Sequence, residues 1–292
     1  MISDSTCAVV VTFHPDEDIA ENLRLLRGQV QGLIVVDNGS PQSTVSLLRQ
    51  TSSAIGFSLV ENDENLGIAT ALNIGVLRAE KEDFRWVILF DQDSTLTENF
   101  IATMVHAYTS SPHPETIGII VPKYIDKRSG TLIPPIRFKS GALEAAMTSG
   151  SFIPLALFRA HGLFEDALFI DAVDYEYSLR LRSKGLSIQE CPEATLLHSP
   201  GTPRIHHFRG KYLFQTANYG PVRRYYQERN KIWVTRRYWR RFPWFCAKLF
   251  WFSFKDVAKT ILAEDRKWEK LVYAALGFRD GLRERMGKVN RT

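Results

Sequence analysis

The chain has 292 residues with 37 Lys or Arg and 32 Asp or Glu, which gives a formal net charge of +5. Hydrophobic residues make up 45% and charged residues 24%, so the composition is that of a globular protein and excludes a disordered or fibrous chain. The 3 cysteines share no metal-ligand spacing, which argues against a disulfide scaffold and against a cysteine-rich zinc site.

Apolar, β-rich runs alternate with helical stretches through the first third of the chain. The predicted strands are 7–13, 32–40, 57–63 and 86–94, and the predicted helices are 18–30, 41–53 and 64–80. Continuous apolar runs are typical of strands that are buried on both faces of a parallel sheet. The alternation therefore predicts a doubly wound α/β sheet with right-handed crossovers.

The pattern is more mixed after residue 115. We expect a strand at 116–125, a loop-rich section at 127–141, a strand–helix boundary at 148–162, a short strand running into a helix at 167–185, and a strand with turns at 186–201. No internal repeat or low-complexity segment interrupts this order.

Polar clusters follow each of the four predicted parallel strands. They lie at 12–14, 37–40, 62–67 and 91–94. In a doubly wound sheet, ligands bind beyond the carboxyl ends of the strands. We therefore expect the four clusters to meet at one edge of the sheet.

Asp91 and Asp93 are the strongest single signal in the sequence. Two carboxylates one residue apart at the end of a strand can both reach one hard cation, Mg²⁺ or Mn²⁺. A solvated acidic turn is the alternative, because Asp-rich strand ends are common. The three other polar clusters at the same edge favour a site over a turn.

Three more carboxylates, Asp171, Asp174 and Glu176, lie at the start of a predicted helix. Asp171 fits N-terminal capping, where the helix dipole favours a negative charge, whereas Asp174 or Glu176 can face the ligand edge as a general base. His198 ends a predicted strand before a Gly/Pro turn. A lone histidine is usually structural, but beside two carboxylates a nitrogen ligand for a metal is reasonable.

Seven motifs in one order resemble the family-2 glycosyltransferases, which have the GT-A fold, and most closely their bacterial rhamnosyltransferase branch. The motifs are VVVTFHP, VVDNGS, NDENLGIATALNIG, WVILFDQDS, GLFEDALFIDAVDYEYSLRLRSKG, LLHSPG and RRYYQERNKI, which lie within residues 5–235. The resemblance implies a Rossmann-like, mostly parallel sheet flanked by helices. It also implies an inverting transfer of a sugar, L-rhamnose from dTDP-L-rhamnose, to a hydroxyl of a glycan, glycolipid or lipid-linked acceptor in bacterial surface polysaccharide or glycolipid synthesis.

The resemblance assigns donor-binding roles by position. It implies that Thr12 and Phe13 line the nucleotide base and that Asp37 binds it. Three further residues would shape the loop around the nucleoside and diphosphate, namely Asn65, Gly67 and Asn73.

The resemblance also assigns the reacting groups. Asp91 and Asp93 would hold the divalent metal, with Asp91 near the ribose, and His198 would be a further metal ligand. Asp174 would be the base that takes the proton of the acceptor hydroxyl. The family's usual Glu-Asp pair reads Val173-Asp174 here, so Glu176 and Asp171 stay open as alternatives.

Two other classes of protein compete with this interpretation. The sequence FDQDSTL also fits the opening of haloacid-dehalogenase-type phosphatases, in which Asp91 would be a covalent nucleophile. That motif normally follows the first strand, whereas here three βα units precede it. A nucleic-acid binder is suggested by the pI of about 9.1, but no nucleic-acid motif is present and we expect no such partner.

The C-terminal part differs from the rest in charge. Residues 223–292 hold 19 basic and 7 acidic residues together with five of the 6 Trp, whereas residues 1–222 hold 18 basic and 25 acidic. We therefore expect a catalytic domain at 1–222 and a basic, aromatic helical segment at 223–292. Within that segment we expect the arginines and tyrosines of RRYYQERN to close over the site, with Arg229 contacting the phosphates of the donor. A solvated basic face of a helix is the alternative.

The segment 233–262 is also expected to attach the protein to a membrane. It is rich in aromatic residues, and its basic residues recur at intervals of four and seven, as on one helical face, although Pro243 is expected to break the helix near its start. Packing of these aromatics on protein is the alternative. The acidic start does not match a secretory signal, and no apolar stretch approaches the roughly 20 residues that span a bilayer. We therefore expect a cytoplasmic protein, peripheral on the inner face of the cell membrane.

Overall fold

The computed structural model describes residues 5–16, 18–137, 141–198, 204–208 and 211–289. Its contacts divide the chain into two compact units. The first unit comprises Met1–Asp166 and Val173–Ser199, and the second comprises Ala167–Ala172 and Pro200–Thr292. The domain boundary after residue 222 stays a prediction. The last three residues of the predicted LLHSPG motif lie outside the described residues.

The first unit is built on one mixed sheet. Its strands are β1 (Thr6–Thr12), β2 (Gly32–Asp37), β3 (Ser58–Glu61), β4 (Trp86–Asp91), β5 (Thr95–Leu96), β6 (Ile117–Asp126), β7 (Phe152–Pro154) and β8 (Ser187–His198). The sheet order is β3-β2-β1-β4-β7-β6-β8-β5. The first four strands are mutually parallel and β6 is parallel to β8, whereas β7 is antiparallel to both of its neighbours and β5 to β8. This confirms the α/β fold with a mostly parallel sheet.

The helices of the first unit connect these strands. They are α1 (Ile19–Arg27), α2 (Gln42–Ile55), α3 (Ile68–Lys81), α4 (Phe100–Thr109), α5 (Leu155–His161) and α6 (Val173–Ser183). Helix α1 buries Ile19, Leu23 and Leu26, which share one face at a spacing of four and seven. Helix α3 lies close to β1, because a Cβ on Gly75 would be 2.2 Å from Val9 Cγ1.

The second unit is mainly helical. A two-stranded antiparallel hairpin, β9 (Arg204–Phe208) and β10 (Lys211–Thr216), precedes the helices α7 (Pro221–Tyr238), α8 (Pro243–Ala263) and α9 (Lys267–Leu282). Helices α7 and α8 each begin at a proline, which needs no hydrogen-bond acceptor at the first helical position. The predicted C-terminal helical extension is therefore present, with the expected break before Pro243.

Two details of the sequence analysis are corrected. The short strand expected from 167 is absent, and a 3₁₀ turn at Asp166–Leu168 stands there instead, because side chains of α7 take the carbonyls that a strand would use. The predicted basic face is also divided, because α7 ends at Tyr238 and Arg241 lies in the turn before α8. Helix α4, strand β5 and the β9–β10 hairpin were not predicted.

Candidate functional site

The four polar clusters lie at one edge of the sheet, as predicted. Strands β1, β2 and β4 are parallel neighbours, with Thr12 paired with Asp37 and Val11 paired with Asp91. Their carboxyl ends therefore lie side by side. The expected convergence of the loops is confirmed.

Asp37 organises the loop after β2. It is fully buried, and its Oδ1 accepts hydrogen bonds from Thr12 Oγ1 at 3.0 Å and from Ser40 Oγ at 2.6 Å, while its Oδ2 accepts one from the Ser40 amide at 2.9 Å. Gly39 within the turn has a φ of +87°, and a Cβ there would lie 2.5 Å from the carbonyl carbon of Glu64. The Asp37 carboxylate thus holds the turn, and Gly39 is needed because the loop after β3 approaches too closely for a side chain.

Asparagine side chains join the loops that follow β2 and β3. Asn38 Nδ2 donates to Asn65 Oδ1 at 3.1 Å, and Asn38 Oδ1 accepts from Asn62 Nδ2 at 3.1 Å and from the Leu66 amide at 3.0 Å. Asn65 Oδ1 also accepts from the Gly67 amide at 2.9 Å. Asn65 and Gly67 therefore shape this loop at the start of α3.

Asn73 has a different place. Its side chain is buried within α3, donates to the carbonyl of Phe164 at 2.9 Å and to Asp166 Oδ1 at 2.7 Å, and accepts from the Phe164 amide at 2.9 Å. Thr70 also donates to Asp166 Oδ1 at 2.9 Å. Asn73 therefore fixes residues 164–166, which precede α6, and its predicted role at the diphosphate stays a prediction.

The end of β1 is tied to the acidic turn after β4. The Phe13 amide donates to Gln92 Oε1 at 2.7 Å, between the two aspartates of the turn. Phe13 is 41% exposed, and its ring makes a T-shaped contact with the ring of His14 at a centroid distance of 4.3 Å.

Asp91, Asp93 and His198 form a group that is suited to a metal ion. One ligand atom from each lies within 4.8 Å of the others. His198 Nδ1 lies 3.4 Å from Asp93 Oδ1, and the Asp93 side chain is 38% exposed. Burial alone would lower the pKa of His198, but the hydrogen bond and charge of Asp93, with the charges of Asp91 and Asp126, raise the pKa above its ordinary value.

Two buried serines, which the sequence analysis did not single out, support this group. The Asp91 amide donates to Ser149 Oγ at 3.2 Å, Ser149 Oγ and Ser94 Oγ are 2.6 Å apart, and Ser94 Oγ lies 3.3 Å from His198 Nδ1. Tyr124 donates to the Ser149 carbonyl at 2.8 Å. The sequence TSGS before β7 was the only signal, since small hydroxyl residues beside glycine are typical of a close turn.

Tyr124 also reports which carboxylates lie near one another. Burial, and then the charges of Asp174, Asp91 and Glu190, raise the pKa of its hydroxyl well above the ordinary value. Asp91 and Asp174 therefore act on one buried phenol. Asp174 also lines a cavity together with Leu89 of β4 and Thr148, which places the first turn of α6 beside the end of β4.

The three carboxylates around the start of α6 differ in their partners. Glu176 is fully buried and paired with Arg180 on the same helix, with Oε1 3.1 Å from Arg180 Nε. Asp171 Oδ2 lies 3.2 Å from Arg223 Nε. Asp174 Oδ1 accepts the amide of Tyr175 at 2.8 Å, and the residue is only partly buried.

Arg229 lies in the second unit and is 1% exposed. Its guanidinium donates to Asn230 Oδ1 at 2.8 Å and to the carbonyls of Gly287, Ala167 and Leu168 at 2.5, 3.1 and 3.0 Å. These bonds engage every nitrogen of the guanidinium. The predicted contact of Arg229 with donor phosphates has no support in this arrangement.

A mostly parallel sheet with acidic and amide-rich loops at the carboxyl ends of its strands agrees with the GT-A fold of the glycosyltransferases. The chain belongs to glycosyl transferase family 2, whose description matches residues 7–151. This membership leaves no reason to retain the phosphatase alternative.

Two curated relatives are similar over most of their length. The chain is 26% identical to the dTDP-rhamnosyl transferase RfbF of Shigella flexneri over 247 residues, which is 79% of each protein. It is 27% identical to the galactofuranosyltransferase GlfT1 of Mycobacterium tuberculosis over 274 residues, or 84% of this chain and 89% of the relative. The protein is therefore a nucleotide-sugar glycosyltransferase.

Solved structures of low sequence identity share the fold. GalNAc-T7 with UDP, GalNAc and Mn²⁺ has a TM-score of 0.61 at 13% identity, and the match covers 96% of this chain and 56% of that one. The mannosyltransferase PcManGT of Pyrobaculum calidifontis, in complex with GDP-Man and Mn²⁺, has a TM-score of 0.57 at 15% identity. This match covers 96% of this chain and 87% of the mannosyltransferase.

Proposed function

We propose that this protein transfers L-rhamnose from dTDP-L-rhamnose, with inversion, to a hydroxyl of a glycan, glycolipid or lipid-linked acceptor in the synthesis of a bacterial surface polysaccharide or glycolipid. The observation that carries the proposal is the group of Asp91, Asp93 and His198 at the carboxyl edge of the sheet. The choice of rhamnose draws on the likeness to RfbF.

The acidic group fits a divalent cation, Mg²⁺ or Mn²⁺. Two carboxylates and one imidazole supply the oxygen and nitrogen ligands that such an ion accepts, and the buried serines hold the backbone and the imidazole in place. These residues would hold the cation, which when bound would supply positive charge against the leaving diphosphate, an effect worth several kcal/mol in such reactions.

The neighbouring loops are proposed to hold the nucleotide. The partly exposed Phe13 is proposed to contact the base, and the fully buried Thr12 and Asp37, whose role at the base stays a prediction, hold the two loops beneath it. Asn65 and Gly67 shape the loop around the nucleoside and diphosphate. Asn73 is proposed to act indirectly, because its buried side chain is hydrogen-bonded to the backbone of Phe164 before α6.

Asp174 is the proposed general base. The resemblance assigns the base to Asp174, which is partly exposed on the first turn of α6, whereas Glu176 is fully buried. Asp174 takes the proton of the acceptor hydroxyl as this oxygen attacks the anomeric carbon from the face opposite the diphosphate. A single displacement inverts the anomeric centre and needs no covalent nucleophile.

The test is a donor-cleavage assay with the full chain. Release of nucleoside diphosphate is measured for dTDP-L-rhamnose, UDP-galactofuranose, UDP-GlcNAc and GDP-mannose, with Mn²⁺ and with water or an alkyl glycoside as acceptor. We expect the fastest turnover with dTDP-L-rhamnose. Preference for another donor would contradict the assignment of rhamnose, and phosphate release from an aryl phosphate in place of donor cleavage would contradict the transferase.

The metal is tested by removal and by substitution. We expect EDTA to abolish cleavage, Mn²⁺ to restore it, and Asp93→Asn to lower it by about a hundredfold or more, since the ion neutralises the leaving group. Asp83→Asn is the matched control, because Asp83 is exposed after α3. Full activity of Asp93→Asn would remove the proposed metal role.

We also propose that α8 attaches the protein to an anionic membrane surface, on the inner face of the cell membrane. Five large apolar side chains are 50 to 73% exposed along this helix, namely Trp244, Trp251, Phe254, Ile261 and Leu262. The opposite side of α8 buries Phe245, Cys246 and Leu249 within the second unit. Among the described residues, no helix is long and apolar enough to cross a bilayer.

Charge favours a membrane over a protein partner for this face. Lys248, Lys255 and Lys259 recur at intervals of seven and four, so they form a row beside the apolar stripe. Lys255 Nζ lies 5.1 Å from the ring centre of Trp251. Each lysine near an anionic leaflet contributes about 1 kcal/mol, and Trp is suited to the headgroup boundary.

Vesicle binding tests the surface. We expect the full chain to co-sediment with vesicles of phosphatidylglycerol and phosphatidylcholine at low salt, and Trp251→Ser with Phe254→Ser to abolish this. Leu25→Ser with Leu77→Ser is the matched control, because both leucines are exposed in the first unit. Equal binding of the two double variants, or binding that is indifferent to salt, would contradict the proposal, as would dimerisation through this face.

A further inference from the structure

The chain immediately before α6 has an unusual backbone. Phe169, Asp171 and Ala172 have φ values of +63°, +65° and +63°, a left-handed region that L-residues rarely adopt. Three such residues in a segment of six do not persist without external support. The segment 167–172 belongs to the second unit, although the residues on both sides of it in sequence belong to the first.

The support comes from Asn230 of α7. This side chain is fully buried, and its Nδ2 donates to the carbonyls of Leu168, Ile170 and Asp171 at 2.9, 2.7 and 2.8 Å. One amide nitrogen has two hydrogens, so one of them is shared. A single side chain therefore fixes three of the carbonyls in the segment.

Arg229 completes the arrangement. Its Nε donates to Asn230 Oδ1 at 2.8 Å, which fixes the orientation of the amide. Its Nη2 donates to the carbonyls of Ala167 and Leu168 at 3.1 and 3.0 Å. With Asn230, it holds four of the six carbonyls in the segment. The ring of Phe169 stacks on Tyr226 of the same helix, with centroids 5.0 Å apart.

We propose that Arg229 and Asn230 are positioning residues for the general base, an inference that rests on the proposed role of Asp174. Asp174 is two residues beyond Ala172, at the first turn of α6. Rotation about any of the left-handed residues would turn the start of this helix. Because the chain runs from segment 167–172 directly into α6, a change of backbone in this segment is expected to reach the first turn of α6 and to turn the Asp174 side chain.

The test separates positioning from donor binding. In Asn230→Asp, a carboxylate oxygen replaces the amide nitrogen and faces three carbonyl oxygens. We expect kcat for cleavage of dTDP-L-rhamnose to fall by about tenfold or more, while the donor KM stays within about twofold, because misplacing a reacting group lowers kcat. Arg229→Lys loses most of the hydrogen bonds of the guanidinium, so we expect it also to lower kcat and leave the donor KM almost unchanged. This variant replaces Asn230→Asp in the test if Asn230→Asp does not fold. Arg240→Lys, in an exposed position, is the control.

A double-mutant cycle then shows whether the effect passes through the base. In an Asp174→Asn background, we expect Asn230→Asp to lower the remaining rate by less than about twofold, because residues that act as a unit are not additive. Equal losses in both backgrounds, or a parallel rise of the donor KM, would overturn the positioning role alone. Wild-type turnover of Asp174→Asn by itself would overturn the assignment of the base and the positioning role with it.

Discussion

Two acidic side chains at the sheet edge of the first unit are partly exposed, whereas three polar side chains on helix α7 of the second unit are buried. At the sheet edge, Asp93 is 38% exposed and Asp174 is only partly buried, so both carboxylates can be reached from solvent. On α7, Arg224, Arg229 and Asn230 are all at most 5% exposed and are bonded to protein atoms.

The two acidic side chains at the sheet edge are available to a ligand, whereas the three polar side chains on α7 are bonded to atoms of the protein. Carboxylates beyond the ends of parallel strands have loop backbone beneath them and open space ahead of them, so they are available to a ligand. Arginines on a helix that is packed between other helices must find acceptors inside the protein, because an unpaired buried charge is costly. Substitutions should therefore lower activity without loss of stability in the first region. On α7 they should lower stability, and at Arg229 and Asn230 they should lower kcat as well.

The largest effect is expected for Asp174→Asn. The amide keeps the size of the carboxylate but cannot accept the proton of the acceptor, so kcat should fall by about 10²–10⁴. The thermal unfolding midpoint and the dissociation constant for dTDP should stay close to those of the wild type, as measured by calorimetry. Loss of dTDP binding in this variant would show a structural role for Asp174 instead.

Glu264→Gln should have the largest effect on stability. Glu264 is 2% exposed, and its oxygens lie 2.6 Å from Arg224 NH2 and 2.9 Å from Lys270 Nζ. Removing its charge leaves the buried Lys270 ammonium with the neutral Asn218 side chain and leaves Arg224 with Asp256 at 3.6 Å, and breaking a buried pair typically costs about 3–5 kcal/mol. Urea unfolding measures this cost. Glu269→Gln, which breaks the exposed pair with Arg266, should cost less than about 1 kcal/mol, and equal costs would contradict the distinction between buried and exposed pairs.

A smaller loss is expected from Gly277→Ala. Gly277 lies where α9 meets α7, and a Cβ there would be 2.2 Å from the carbonyl oxygen of Tyr225. Such overpacking should lower the free energy of unfolding by about 1–3 kcal/mol. Gly220→Ala, where nothing lies within 4 Å of the added Cβ, is the control and should be almost neutral. A neutral result at Gly277 would mean that the two helices can separate freely.

The smallest effect concerns pH and the surface pair of Glu61 with Arg49, which are 2.6 Å apart. The hydrogen bond from Arg49 lowers the pKa of Glu61 from 4.5. The stabilisation is therefore present above pH 4.5 and is lost as the pH falls through the lowered pKa. Glu61→Gln should lower the unfolding midpoint slightly at neutral pH and not at all in strong acid. A difference that grows in acid would contradict this sign.

The first unit could be predicted well from sequence, because its strands are continuous apolar runs and its polar clusters directly follow them. Asp91, Asp93 and His198 are brought together although more than a hundred residues separate His198 from the pair, since the expected strands end at one edge. The serines beneath them were missed, because Ser94 and Ser149 act through contacts between distant loops.

The second unit was predicted less well. The apolar run 167–170 has the composition of a strand, and only the donors on α7 give it another conformation. Arg229 has the chemistry of a phosphate ligand, but its partners are carbonyls more than fifty residues away. Composition gives the residue types, whereas the partners of a buried cation depend on tertiary packing.

Calorimetric titration with dTDP-L-rhamnose measures whether the proposed site binds its donor through the metal. With Mn²⁺ present, we expect the full chain to bind this donor, and Asp93→Asn or EDTA to weaken the binding by about tenfold or more, since the ion offsets the charge of the diphosphate. Asn230→Asp should bind it as the wild type does. Metal-independent binding of equal strength in the wild type and Asp93→Asn would contradict the proposed site.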